Sequence, residues 1–191
     1  SCGRLGDAEG VLAHFERASL ATAESSARAA RVICLSRAAF PLIQLGQLAR
    51  VAPIVEHLAA ESEGLGESEA LARAQACQVL AEYAHHQGDL EGAVRRLERA
   101  TEAFVQAGDA RSALSESNSL AASYVELGRV AEAEAICRRN LALGERHNTP
   151  RAAAFARFVL AYALVYSPQG AAEQRQLAES LVSEYRAARS Q

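Results

Sequence analysis

Glycines recurring at an almost constant interval constrain this chain more than any other feature in it. Gly6, Gly46, Gly88 and Gly128 stand in the contexts RLGDAE, QLGQLA, HQGDLE and ELGRVA, at spacings of 40, 42 and 40 residues. Gly66, Gly108 and Asn148 fall almost midway between them. Gly, and after it Asn, is the residue that closes a helix in the left-handed conformation. Extending the half-period of about 20 residues places Ser26 before Gly46 and Pro168 after Asn148, both residue types that start or stop helices. Nine segments of roughly 16 to 18 residues result.

Inside the segments the propensities agree with that division. Ala (43) and Leu (22) make up about a third of the 191 residues, β-branched residues are few, and no stretch alternates as a strand would. The repeat is visible in the letters: GDAEGVLAHFERA at 6–18 aligns with GDLEGAVRRLERA at 88–100. Two antiparallel helices of this length cannot bury their apolar stripes alone, so neighbouring hairpins must stack. Pro41 and Pro53 predict a kink or an early helix end near Gly46, and a short or bent start after it. GLGES at 64–68 reads as a helix stop followed by a new cap, with no strand before it to make a phosphate loop.

Composition excludes several chemistries. All 20 basic residues are Arg, so there is no lysine for a Walker phosphate loop, a Schiff base or a kinase ATP site. The formal net charge of −3, with Arg scattered among Asp and Glu, argues against nucleic acid as a partner. No run approaches the roughly eighteen apolar residues of a membrane span, and no signal segment opens the chain, so a cytoplasmic location is expected. Cys2, Cys34, Cys77 and Cys137 form no C-x-x-C pair and no metal-ligand pattern with the five His, which predicts neither a disulfide framework nor a zinc site. Neither G-x-S-x-G nor a Cys with nearby His and Asn is present, so no catalytic set and no cofactor are expected.

Counting back from each inter-helix Gly, the first helix of a unit carries Leu80, Ala81 and Ala84, then Leu120, Ala121 and Tyr124, then Leu160, Ala161 and Leu164. The second helix opens on Ala93 or Ala133 and continues with Leu97 and Ala100, or Cys137 and Leu141. This pattern resembles the tetratricopeptide repeat (TPR), in its long-period form of about 40 residues, as in multidomain bacterial regulators and kinesin light chains. It departs from the family in its period, in the Leu35, Cys77, Ser117 or Arg157 found where a Trp-like residue usually stands, and in the missing Pro after the second helix. The resemblance implies an all-α fold, a right-handed α-α superhelix of antiparallel hairpins with about nine helices. One array over 1–191 would comprise an orphan helix at 7–24 and hairpins at about 26–65, 67–107, 109–147 and 149–189. Beginning mid-hairpin and without Met, the chain is expected to be a piece of a longer protein.

The resemblance also implies that the first helices line a concave groove. Carried onto this chain, its groove positions are Ile33, Ser36, Phe40, Ile43 and Gln44; Gln75, Gln78, Glu82, His85 and His86; Ser115, Asn118, Ala122, Val125 and Glu126; and Phe155, Phe158, Tyr162, Val165 and Tyr166. Gln75, Gln78, Glu82, His85, His86 and Asn118 would offer donors and acceptors to a peptide backbone. Phe155, Phe158, Tyr162 and Tyr166 are four of the ten Phe and Tyr of the chain and share one helix face. They would form an aromatic docking surface, a seat for the chain's own last helix, or a homodimer contact. Glu82, His85 and His86 share a helix side as metal ligands can, but a di-iron site needs the motif twice with two further carboxylates, so no metal is expected. The Lys clamp that some TPR domains use on chaperone tails is ruled out by the absence of Lys. The expectation is a non-enzymatic scaffold that binds a protein or peptide; the alternative is a ligand- or peptide-sensing regulatory domain of a bacterial transcription regulator or signalling kinase.

Overall fold

The computed structural model describes residues 28–166 continuously, and residues 9, 10, 13, 172, 175, 176, 179, 180 and 183 singly or in pairs. Seven α-helices fill the continuous stretch: α1 (Arg28–Gln44), α2 (Leu48–Ser62), α3 (Ala70–His86), α4 (Leu90–Gln106), α5 (Ala110–Glu126), α6 (Val130–Arg146) and α7 (Pro150–Tyr166). The expected helices at 7–24 and 169–189 lie outside it, and no strand occurs among the described residues. The fold is all-α, built from hairpins of near-equal helices. The chain divides into two compact units, Ser1–Ala113 and Leu114–Gln191.

Five helix ends share one device. Gly46, Gly88, Gly108, Gly128 and Asn148 have positive φ of 69, 81, 75, 74 and 51°, each two residues after its helix. The next backbone N–H then reaches back to the last turn, as in Gln47 N to Leu42 O (2.9 Å), Asp89 N to Ala84 O (2.9 Å) and Thr149 N to Gly144 O (2.9 Å). This left-handed closure satisfies carbonyls that the helix leaves orphaned. At two of the following helix starts an Asp side chain takes up orphan amides. Asp89 Oδ1 accepts from Gly92 N at 2.8 Å, and Asp109 accepts from the Ser112 amide and hydroxyl at 3.0 and 2.7 Å, which holds the Asp109 carboxyl below its usual value.

The α2 to α3 junction differs. Gly66 has φ −78°, not the left-handed value expected of it, and a single 3-10 turn at Glu67–Glu69 leads into α3. Here Ser62 Oγ donates to Ala59 O (2.8 Å), and Glu69 Oε2 accepts from Gly66 N (2.9 Å). GLGES is thus the stop and restart that its letters suggest. Of the two alternatives for Pro41, the early helix end does not occur, because α1 contains Pro41 and still reaches 17 residues, like α3 to α7. With Pro53 inside it, α2 begins on schedule two residues after Gly46, and its 15 residues fall short at the far end.

In the first unit the core joins α1 (Val32, Leu35, Ala39, Leu42, Ile43), α2 (Val51, Ile54, Val55, Leu58) and α3 (Ala72, Ala76, Val79). Ala74, Ala103, Phe104 and Ala113 make a second cluster. Arg31 donates to both Glu61 oxygens at 3.3 and 2.9 Å, linking α1 to α2 beside that core. In the second unit Leu120, Ala121, Tyr124, Ala133, Cys137, Ala156, Leu160 and Leu164 are buried. Gly144 permits a close approach of α6 to α7: a Cβ built on it would lie 2.9 Å from Ala153 Cβ and 3.2 Å from Ala153 Cα. The small positions noted in the sequence, Ala93, Ala133 and Ala121, are fully buried. They let helices pack at the near end of the usual interaxial range.

Candidate functional site

The aromatic residues singled out by spacing stand on the surface of α7. Phe155, Phe158, Tyr162, Val165 and Tyr166 recur at helical intervals, form one stripe, and are each 40–63% exposed. They account for five of the seven large apolar side chains exposed among the described residues, the others being Leu71 and Val105. Within the stripe Phe155 and Phe158 lie nearly parallel at 12°, their ring centroids 6.4 Å apart. Tyr162 and Tyr166 meet edge to face at 5.4 Å, with their hydroxyls 3.5 Å apart. The neighbouring Tyr166 hydroxyl pushes the Tyr162 phenol above its usual pKa. On the opposite side of α7, Ala153, Ala156, Val159, Leu160, Ala163 and Leu164 are buried, so the helix is apolar on both faces. An apolar face in water has an unfavourable contact with solvent that a partner would remove.

Asn118, expected beside the polar residues of the groove, belongs to the core of the second unit. It is 0% exposed. Its Nδ2 donates to Ala152 O at 3.0 Å, and its Oδ1 accepts from Asn140 Nδ2 at 2.8 Å. Asn140 also donates to Ser117 Oγ at 3.0 Å, and Ser117 further accepts from Arg139 at 3.1 Å. A ligand could reach the Asn118 amide only by breaking this network, so Asn118 is removed from the set of binding residues. Its work is to join α5 to α6 and α7.

The remaining polar candidates lie on α3 in the first unit. Gln75, Gln78, Glu82 and His85 are partly buried and His86 is exposed. Glu82 Oε1 accepts from Gln44 Nε2 at 2.6 Å and lies 3.4 Å from His86 Nε2, so this carboxylate is already engaged across α1 and α3. The His85 and His86 rings meet edge to face with centroids 6.0 Å apart. No group of three His, Cys, Asp or Glu positioned to hold a metal occurs among the described residues.

Gln75 and Gln78 border a cleft of about 250 Å³ between α1 and α3, whose other walls include Ser36, Phe40 and Val79. A second cleft, of about 410 Å³, opens on the opposite side of α3, lined by Cys77 and Leu80, by Arg73, Arg96 and Arg99, and by Glu63 and Glu102. Burial pushes the Cys77 thiol up, against the opposing influence of Arg99, Arg73 and Arg96. Burial likewise raises Cys137, to about 12. Both thiols are therefore protonated and poor nucleophiles near neutral pH. On the α3 side of this cleft Arg73, Cys77 and Leu80 stand at helical spacing. Arg96 donates to Gly92 O, four residues before it, at 3.0 Å. Arg138 pairs with Glu134, four residues before it on the same helix, at 2.7 Å.

No protein-family model matches the sequence, and no curated relative does. Solved structures do. The nearly identical TPR-like repeats of a Podosopora anserina protein described as a kinesin light chain superpose with a TM-score of 0.70 at 18% identity, covering 93% of this chain and 87% of that one. A substituted form of the same repeats gives 0.74 at 17% identity, covering 97% and 90%. BtubC (BKLC) from P. vanneervenii gives 0.60 at 15% identity, covering 98% and 92%. At these identities the likeness is one of fold, and the fold of this chain is that of TPR-like helical repeats.

Proposed function

We propose that the chain is a non-catalytic interaction module that docks a protein or peptide partner on the exposed side of α7. The observation that carries this reading is the aromatic stripe of Phe155, Phe158, Tyr162 and Tyr166, exposed on a helix whose other side is already packed. Aromatic side chains bring large contact area at little conformational cost, and they dominate the energetic centres of protein interfaces. TPR-like repeats as a fold provide stacked helical hairpins with extended surfaces, which suits this role. The non-catalytic part of the reading is supported by thiols that burial keeps protonated and by a Glu82 carboxylate already bonded to Gln44. No described helix is long and apolar enough to cross a membrane.

The test compares the wild-type chain with Phe158→Ser/Tyr162→Ser in partner capture, after circular dichroism has shown both to be folded and light scattering has measured the size of each. A partner held by the first and lost by the second, and then reproduced with purified components, supports the reading. If the double variant captures the same partner, or if its only change is from dimer to monomer, docking of a partner at α7 is refuted.

A further inference from the structure

The cleft shared by the end of α2, α3 and α4 brings together more positive charge than its own lining neutralises. It encloses about 410 Å³ and is lined by three guanidiniums, of Arg73, Arg96 and Arg99, against two carboxylates, of Glu63 and Glu102. Arg73 gives one N–H to Gln106 Oε1 at 2.7 Å, and Arg96 gives one to Gly92 O at 3.0 Å with Asp89 Oδ2 at 3.9 Å. Arg99 makes no hydrogen bond or ion pair among the described residues. A guanidinium has five N–H donors in a planar fork, so most of these donors remain for solvent or a ligand. The charge is felt by the apolar part of the lining: burial pushes the Cys77 thiol up, and Arg99, Arg73 and Arg96 each act against it.

The ligand's chemistry follows from this lining. Guanidiniums on two helices, α3 and α4, call for an anion, and their forks match a carboxylate in bidentate geometry. One positive charge in excess suits a single negative charge, whereas the second charge of a phosphate monoester would stand against Glu63 and Glu102. The uncharged side chains are Ala59, Ser62, Cys77, Leu80 and Ala103, of which Ser62 alone has an oxygen, and its hydroxyl already donates to Ala59 O at 2.8 Å. The rest of the ligand is therefore hydrocarbon, since a polar body would lose water there without gaining partners. The volume falls within the range of about 300–1,000 Å³ of small-molecule sites. We propose that this cleft is a binding site for a small amphipathic monocarboxylate, its carboxylate held by the guanidiniums of Arg73, Arg96 and Arg99 and its hydrocarbon body laid against Cys77 and Leu80. The site belongs to the first unit and shares no residue with the aromatic stripe of α7, so it stands or falls apart from partner docking.

The probe is hexanoate, titrated into the full 191-residue chain labelled with nitrogen-15. Four controls accompany it: hexanamide, which is neutral; acetate, which lacks the hydrocarbon body; hexyl phosphate, which adds a charge; and N-acetyl-glycyl-leucine, which presents the carboxylate as a peptide C-terminus. The expected result is saturable shifts at the backbone amides of Cys77, Leu80 and Arg99 and at the Arg99 side-chain N–H. Hexanamide should bind at least about tenfold more weakly, through loss of the charge-assisted bonds, and acetate likewise, through loss of apolar burial. Arg99→Gln should weaken hexanoate binding about tenfold at an unchanged melting temperature, and added salt should weaken it in wild type. Glu102→Gln should tighten binding, an effect of opposite sign that a general loss of fold cannot produce. No saturable shifts at these residues, equal binding of hexanamide, or Arg99→Gln binding as wild type does would each overturn the site. So would shifts that gather on α7 and vanish in Phe158→Ser/Tyr162→Ser. Tighter binding of hexyl phosphate would overturn the single charge, and tighter binding of N-acetyl-glycyl-leucine would overturn the hydrocarbon body in favour of a peptide end.

Discussion

Replacing Asn140 with alanine is expected to destabilise the second unit by about 2–4 kcal/mol. Asn140 is 1% exposed and holds the middle of a buried network. Its Nδ2 gives the bonds to Asn118 Oδ1 (2.8 Å) and Ser117 Oγ (3.0 Å), and its Oδ1 lies 3.2 Å from Ser117 Oγ. Ser117 would keep its bond from Arg139 at 3.1 Å, so its loss is partial. Asn118 Oδ1 would lose the donor shown for it at a site with no solvent access, which costs about 1–3 kcal/mol, and the truncated side chain leaves a small void worth about another 1 kcal/mol. Stacked hairpins can unfold piecewise, so the readout should be local as well as global. The assay is amide hydrogen exchange across α6 and α7, combined with urea unfolding followed by circular dichroism. Asn118→Ala and the double variant complete a cycle in which the pair should couple by about 1 kcal/mol, since both single changes break the same bond. A loss below about 0.5 kcal/mol for Asn140→Ala, or strict additivity in the cycle, would refute the argument that this network ties α5 to its neighbours.

Three further outcomes can be checked by the same methods. Gly108 has φ 75°, so Gly108→Ala should cost about 1 kcal/mol and Gly108→Asn less, as Asn148 already closes a helix at φ 51°; equal costs in urea unfolding would contradict this. Gly144→Ala should be net destabilising, because a Cβ there lies 2.9 Å from Ala153 Cβ and the overpacking cost of about 1–3 kcal/mol outweighs the roughly 1 kcal/mol gained in helix propensity. A more stable variant would show that α6 and α7 can separate freely. The hydrogen bond from Arg31 holds the Glu61 carboxyl below its usual value of 4.5, so its stabilising contribution is fully present above that pH and is lost as pH falls through the lower, folded value. The advantage of wild type over Glu61→Gln in thermal melts should therefore shrink on acidification below about 4.5, and a gap that stays constant would count against the pair.

The helix boundaries were legible because they rest on local chemistry. Gly46, Gly88, Gly108, Gly128 and Asn148 mark left-handed closures, which their positive φ values bear out. Gly66 sits at the same interval and adopts φ −78°, because glycine permits the left-handed conformation without requiring it, and Ser62 and Glu69 supply another way to end one helix and begin the next. Pro41 does not end its helix early, since α1 continues past it to Gln44. The candidate site was legible in part. Spacing alone put Phe155, Phe158, Tyr162 and Tyr166 on one side of a helix, but the same spacing fits a buried core stripe. Asn118 shows the converse error, in which a repeat position implied a surface and the fold supplied a cover.

What the sequence alone determined is the series of helices between Arg28 and Tyr166, with most of their lengths and all but one of their closures. Each of these depends on backbone preferences and on hydrogen bonds between residues a few positions apart, so the neighbouring letters contain the information. Only the tertiary structure decided which polar groups are enclosed and which apolar ones are left in water. Asn118 is enclosed because Asn140 and Ala152, 22 and 34 residues further on, come to lie against it, and Ser36 and Gln75 share a cleft because α1 and α3 are neighbours. Burial is a property of pairs of helices, and no single helical pattern specifies its own neighbour.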